Sequence, residues 1–196
     1  MSDKIKISGI AVSEQVSRNG RKYIAKELEK FAPTLTGRPI LKDHEGITDN
    51  VIGVITHAET LDAGKTVRYE GWVKEDGSGI VEKMKDGRIK EVSIGAMAGK
   101  VVKENKDDPY VIPVDMEAME LSTTPVPGNR GTSIIKQDEN NDLSEDKLKD
   151  MIESYESNLN INKKEENMES KQTQETESTI VDNSKELSEL KEQMEA

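Results

Sequence analysis

Two histidines, one serine among small residues and a few carboxylates are the side chains of this 196-residue sequence from which acid–base chemistry could be built. His44 lies in Lys42-Asp43-His44-Glu45-Gly46, after a short apolar run, and His57 ends the run Val51–Thr56. A metal site made from both with Asp43 or Glu45 has no recognised ligand spacing behind it. Cysteine is absent, which removes thiol nucleophiles, disulfides and cysteine-held metals. Ser93 sits in Glu91-Val92-Ser93-Ile94-Gly95-Ala96, a strand pattern with Val92, Ile94 and Ala96 on one face and Glu91, Ser93 and Gly95 on the other. Small neighbours beside the serine leave room for a substrate backbone. A serine hydroxyl becomes a nucleophile only with a base to take its proton and a third group to orient that base. His44 and His57 are the histidines available as base, and Asp115, Glu117 and Glu120 are acids after Ser93 that could serve as the third group. Taken singly, each of these also reads as an ordinary turn, strand-end or sheet residue.

The segment Glu120-Leu121-Ser122-Thr123-Thr124-Pro125-Val126-Pro127-Gly128-Asn129 puts an acid on a strand that runs into a rigid Pro-x-Pro-Gly loop. Other chemistries find no support. Ser93 is not on the strand–turn–helix G-x-S-x-G elbow of the α/β-hydrolases. Gly71, Gly77 and Gly79 form neither a Walker loop nor a dinucleotide fingerprint.

The elements that must position these residues are mostly short strands. Lys4–Ser8 alternates polar and apolar, and Asn19-Gly20 predicts a tight turn within 17–21. Residues 23–31 predict a helix with Ile24, Leu28 and Phe31 on one stripe, ended by Pro33. Strands are expected at 39–41, 51–55, 66–73, 89–102 and 118–124, and a short helix at 79–85 with Ile80, Val81 and Met84 inward. Many short strands with two small helices imply a mainly β barrel or sandwich with helical insertions.

Charge divides the chain. Residues 1–136 hold 21 acidic and 21 basic side chains, whereas residues 137–196 hold 18 acidic and 7 basic, so the net charge of -11 belongs to the tail. All 14 glycines and all 6 prolines lie in the neutral part, which is long enough for one real core. In the tail, helical segments are expected over about 144–160 and 184–196, with a polar, disordered stretch between them. A neutral body with an acidic tail disfavours nucleic acid. No run of about 18 apolar residues predicts a membrane span, and Met1-Ser2-Asp3-Lys4 lacks the apolar core of a secretory signal. A soluble intracellular protein is the expectation.

Four segments taken in order carry a resemblance: Ser17-Arg18-Asn19-Gly20-Arg21-Lys22-Tyr23; Asp43-His44-Glu45 followed by Ile52-Gly53-Val54; Val92-Ser93-Ile94-Gly95; and Glu120-Leu121-Ser122 leading to Pro127-Gly128-Asn129. Together they resemble the prohead (capsid maturation) serine proteases of tailed viruses, distant relatives of the herpesvirus assemblin protease. The resemblance implies a herpesvirus-protease-like β-barrel over residues 1–136, with His44 as general base and Ser93 as nucleophile. The herpesvirus relatives take their third member from a histidine after the serine. This sequence has none there, so the role passes to an acid: Glu120, 27 residues beyond Ser93, with Asp115 in reserve. His57 precedes the serine and is read as structural. Backbone amides of Gly95 and Ala96, or Arg130, are the candidate oxyanion donors.

The resemblance also implies scaffold and major capsid proteins as substrates, with the chain itself among them, and raises self-association as a homodimer. It implies a place inside the viral prohead in the host cytoplasm, no cofactor, and a tail that acts as a scaffold-like extension. The contrasting expectation is a catalytically inactive, protease-like assembly protein.

Overall fold

A computed structural model of the chain describes residues 4–137. The tail expected from 137 onward, with its helical segments at 144–160 and 184–196, otherwise lies outside the described residues. The neutral part is mainly β, with two short helices. In chain order the elements are β1 (Lys4–Ser13), α1 (Ala25–Leu35), β2 (Pro39–Lys42), β3 (Val51–Leu61), β4 (Thr66–Lys74), α2 (Ile80–Lys85), β5 (Val92–Val102), β6 (Ile112–Thr123) and β7 (Ile135–Gln137).

The strands form one mixed sheet in the order β5-β6-β2-β3-β4-β1-β7. Every pairing is antiparallel except β2 with β6, where Ile40, Leu41 and Lys42 run parallel to Leu121, Ser122 and Thr123. The two edges also meet outside the ladder, where the Ile134 N–H donates to the Lys90 carbonyl at 2.8 Å and the Val92 N–H to Thr132 Oγ1 at 3.3 Å.

Helix α1 lies on the sheet against β6 and β3. Its stripe, Leu28, Phe31, Ala32 and Leu35, is buried with Ile40, Ile55, Tyr69 and Leu121. Burial of this kind stabilises by about 1.5–3 kcal/mol per large side chain. The helix does not stop at Pro33, as expected; it continues to Leu35. Proline deprives the carbonyl one turn back, that of Glu29, of its helical donor, and Glu29 is an exposed residue. Leu35 is fully buried and pins the last turn, and Thr34 Oγ1 donates to the Phe31 carbonyl at 2.7 Å.

Several strands also differ in extent from the expected ones: β1 runs on to Ser13 and β3 to Leu61, past the expected ends at 8 and 55, and β5 begins at Val92 rather than at 89. β6 begins at Ile112 rather than at 118, and β7 had no counterpart among the expected strands. Its three residues show no alternation; their place comes from pairing with Lys6–Ser8 of β1. α2 keeps Ile80, Val81 and Met84 buried, as their spacing requires.

Candidate active site

Three neighbouring strands, β5, β6 and β2, carry the site. In the antiparallel β5–β6 pair, Ser93 stands opposite Ser122 and Gly95 opposite Glu120. Residues two apart share a face of a strand, so these four side-chain positions lie on one face. Directly opposed positions place Cβ atoms about 4.5–5.5 Å apart, which sets the spacing of Ser93 and Ser122. A bulge follows between Gly95 and Ala96.

β2 brings the histidine from the other side. Because it runs parallel to β6, its last residue, Lys42, ends beside Thr123, and the chain then reverses over β6. The reversal is a turn closed by the Glu45 N–H on the Lys42 carbonyl at 3.1 Å. Asp43 and His44 both have positive φ, 48° and 60°. Aspartate and histidine are among the non-glycine residues that enter this region, but such backbone is costly and persists only where neighbours fix it. Here the Asp43 N–H donates to the Thr123 carbonyl at 3.1 Å and the His44 N–H to Ser122 Oγ at 2.9 Å.

The side chains then converge. His44 Nδ1 lies 2.7 Å from Glu120 Oε1, and Ser122 Oγ donates to Glu120 Oε2 at 2.6 Å. A carboxylate only accepts, so the proton between His44 and Glu120 is assigned to Nδ1, leaving the Nε2 lone pair free. The Glu120 side chain is 10% exposed and the imidazole 42%. The acid is thus shielded while the base stays open on one side. The hydrogen bond that His44 donates to Glu120 raises the His44 pKa above its ordinary value; partial burial opposes the shift, and the charges of Glu120 and Asp43 add to it.

Gly95 has a task that small size alone did not reveal. A Cβ there would fall 1.9 Å from Glu120 Oε1. The missing side chain is the space in which the carboxylate lies. Ser93 is half-buried, and no hydrogen bond joins its hydroxyl to another described residue.

The other candidates lie elsewhere. Asp115 is beyond the far end of that cluster on β6, 3.3 Å from Lys30 Nζ, and Glu117 pairs with Arg38 at 2.7 Å. His57, on β3, is exposed, with Glu59 Oε2 3.7 Å from its Nε2. Glu45 accepts from Asn50 Nδ2 at 2.7 Å. Among the described residues no group of three His, Asp or Glu side chains could hold a metal ion.

The loop after β6 is braced by the early turn. The Arg18 N–H donates to the Gly128 carbonyl at 2.9 Å and its guanidinium to the Pro127 carbonyl at 2.5 Å. Asn129 is buried and clamps Ser13 through both its backbone groups, at 3.1 and 3.0 Å. Arg130 follows, exposed, with its carbonyl accepting from Gln15 Nε2 at 2.9 Å.

Sequence reasoning passed over Ser122. The available signal was period two: Ser122 shares a face with Glu120, two residues away.

No protein-family model and no curated protein matches the chain. Among solved structures it is similar to the KSHV protease in complex with a hexapeptide phosphonate inhibitor, at 10% identity and a TM-score of 0.44, covering 79% of this chain and 77% of that one. It is also similar to varicella-zoster virus protease, at 11% identity and a TM-score of 0.41, covering 68% of this chain and 64% of that one.

Proposed function

We propose that the chain is a serine endopeptidase in which Ser93 is the nucleophile, His44 the general base and Glu120 the third member. The observation that carries this is the 2.7 Å bond from a half-open imidazole to a shielded carboxylate, on the strand that pairs with Ser93. In the reaction, His44 Nε2 takes the Ser93 hydroxyl proton as Oγ bonds to the scissile carbonyl carbon. The resulting oxyanion collapses, the C–N bond breaks, and the imidazolium gives its proton to the leaving amine. Water, deprotonated by the same nitrogen, then releases the acyl group. Glu120 holds the imidazole and stabilises its cation throughout. Oxyanion donors are typically worth about 10²–10³ in rate each. Gly95 and Ala96 amides at the bulge, or Arg130 in the braced loop, are the groups proposed for that role.

The substrates we propose are scaffold and major capsid proteins, and the chain itself, during maturation of a tailed-virus prohead or prophage particle. Support comes from the four ordered motifs: three supply the nucleophile, base and acid, and the fourth, the turn at 17–23, braces the loop after the acid. The competing reading is an inactive, protease-like assembly protein, favoured by the Ser93 hydroxyl having no hydrogen bond to another described residue.

Intact masses separate the two. The full-length chain and Ser93→Ala are each incubated with the scaffold and major capsid proteins of the same virus. Fragments that require Ser93 are expected; identical, uncut profiles would leave the assembly protein.

A further inference from the structure

Ser122 is fully buried and has both its hydrogen-bonding roles engaged. We infer that Ser122 is a positioning residue, whose hydroxyl ties the Glu120 carboxylate to the His44 backbone and fixes the direction of every proton in the pair.

The reasoning runs through donor and acceptor capacity. The His44 N–H can only donate, so at 2.9 Å Ser122 Oγ must accept from it. A hydroxyl has one proton, and it is left for Glu120 Oε2 at 2.6 Å. Oε1 then faces His44 Nδ1 at 2.7 Å. The three bonds close a ring: His44 amide to Ser122, Ser122 to Glu120, and imidazole Nδ1–H to Glu120. One tautomer satisfies it, the one that leaves Nε2 unprotonated.

Without the hydroxyl two constraints go together. The terminal torsion of a glutamate is broad and roughly two-fold, so the carboxylate loses its preferred rotation against His44. The His44 amide loses its acceptor at a residue already held at positive φ. Ser122 itself is no candidate nucleophile, because it has no exposed surface.

The kinetic consequence of Ser122 rests on the protease reading, whereas its effect on the His44 titration does not. The test therefore measures both on the full-length chain. With only two histidines, the imidazole of His44 can be titrated by NMR against His57 as internal control. The charges that bear on it are those of Glu120 and Asp43, and neither is altered in Ser122→Ala. We expect the His44 pKa to fall back toward the ordinary histidine value, with His57 unmoved. On a peptide spanning a mapped scaffold cleavage site, kcat should drop by about 10–10²-fold with KM unchanged, the size expected of a misplaced catalytic group. The loss should vanish on a Glu120→Gln background, because the two side chains act as one unit.

Ser122→Cys, close in size and a weaker donor, should lie between wild type and Ser122→Ala, and it stands in if the alanine variant does not fold. An unchanged His44 titration in the folded variant, or an equal kcat loss with and without Glu120→Gln, would overturn the assignment. If the wild type cleaves nothing, the protease reading fails, and the titration alone decides: a moved His44 supports the positioning role and an unmoved one refutes it.

Discussion

Strand β6 carries two polar clusters that use the same bonding pattern for different ends. Near Asp115, the buried Glu27 of α1 accepts the Asp115 N–H at 2.8 Å and pairs with Lys30 at 2.8 Å. Near Glu120, a shielded carboxylate pairs with His44 and accepts from Ser122. Both include a residue at positive φ, Asp115 at 52° and His44 at 60°. The cation differs. Lysine stays charged at neutral pH, so the Glu27 cluster can fasten the helix to the strand but cannot exchange protons there. Histidine changes charge near neutrality, and its carboxylate partner stands on the strand that pairs with the one bearing Ser93. A buried carboxylate on a cation is therefore no mark of a site; a titratable partner with one exposed side is.

Substitutions should separate the clusters by readout. Glu120→Gln should lower kcat by about 10²–10⁴-fold, with little loss of stability, because it removes the group that orients and stabilises the imidazole. The acid limb of kcat/KM should also move. His44 must be neutral to act, so the rate climbs as pH rises through its raised pKa, above 6.5; in Glu120→Gln that limb shifts to lower pH. Asp115→Asn should leave kcat unchanged, and the opposite ranking of these two acids would transfer the third role to Asp115.

Gly95→Ala should produce a smaller loss of kcat than Glu120→Gln but a larger loss of stability. The added methyl meets Glu120 Oε1 and pushes the carboxylate off His44. A fall in kcat of about 10²-fold is expected from such a displacement. Overpacking should cost about 1–3 kcal/mol in denaturant unfolding.

Glu27→Gln should have the smallest effect, with no change in kcat and a loss of about 1–3 kcal/mol, the usual worth of a charged hydrogen bond. Its pH signature is opposite to that of His44. Burial pushes the Glu27 pKa up, but the bonds from Lys30 and the Asp115 amide outweigh this and hold it low. Its contribution is present above the ordinary carboxylate value of 4.5 and lost as pH falls through the lowered pKa. The raised His44 contributes below 6.5 and its share is lost as pH rises through the folded pKa. Urea midpoints against pH for wild type and Glu27→Gln would show the acid-side difference.

How much of this could be read from sequence follows from how local each feature is. Alternation exposed β1 and β4, and the apolar runs exposed β2 and β3, because burial of one or both faces writes itself into neighbouring residues. β7 carries no such pattern and is created by pairing with a distant strand, whereas the first half of β6 does alternate, Met116 and Ala118 buried against exposed Asp115 and Glu117, and was passed over. The polar turn at Asp43-His44, just before Gly46, was legible; the positive φ at both residues was not. Ser122 looked like any sheet serine, since the His44 amide that engages it is 78 residues away in the chain. Glu120 was selected by its place before the Pro-Gly-Asn loop, but only the β5–β6 register shows that Gly95 makes room for it.

The central claim is that the His44–Glu120 pair activates Ser93. A phosphonate that reacts with activated serines, followed by peptide mapping, tests it most directly. A single adduct on Ser93 is predicted in the full-length chain, absent in His44→Ala and much slower to form in Glu120→Gln. An adduct on Ser122, or equal labelling of Ser93 in all three proteins, would contradict it.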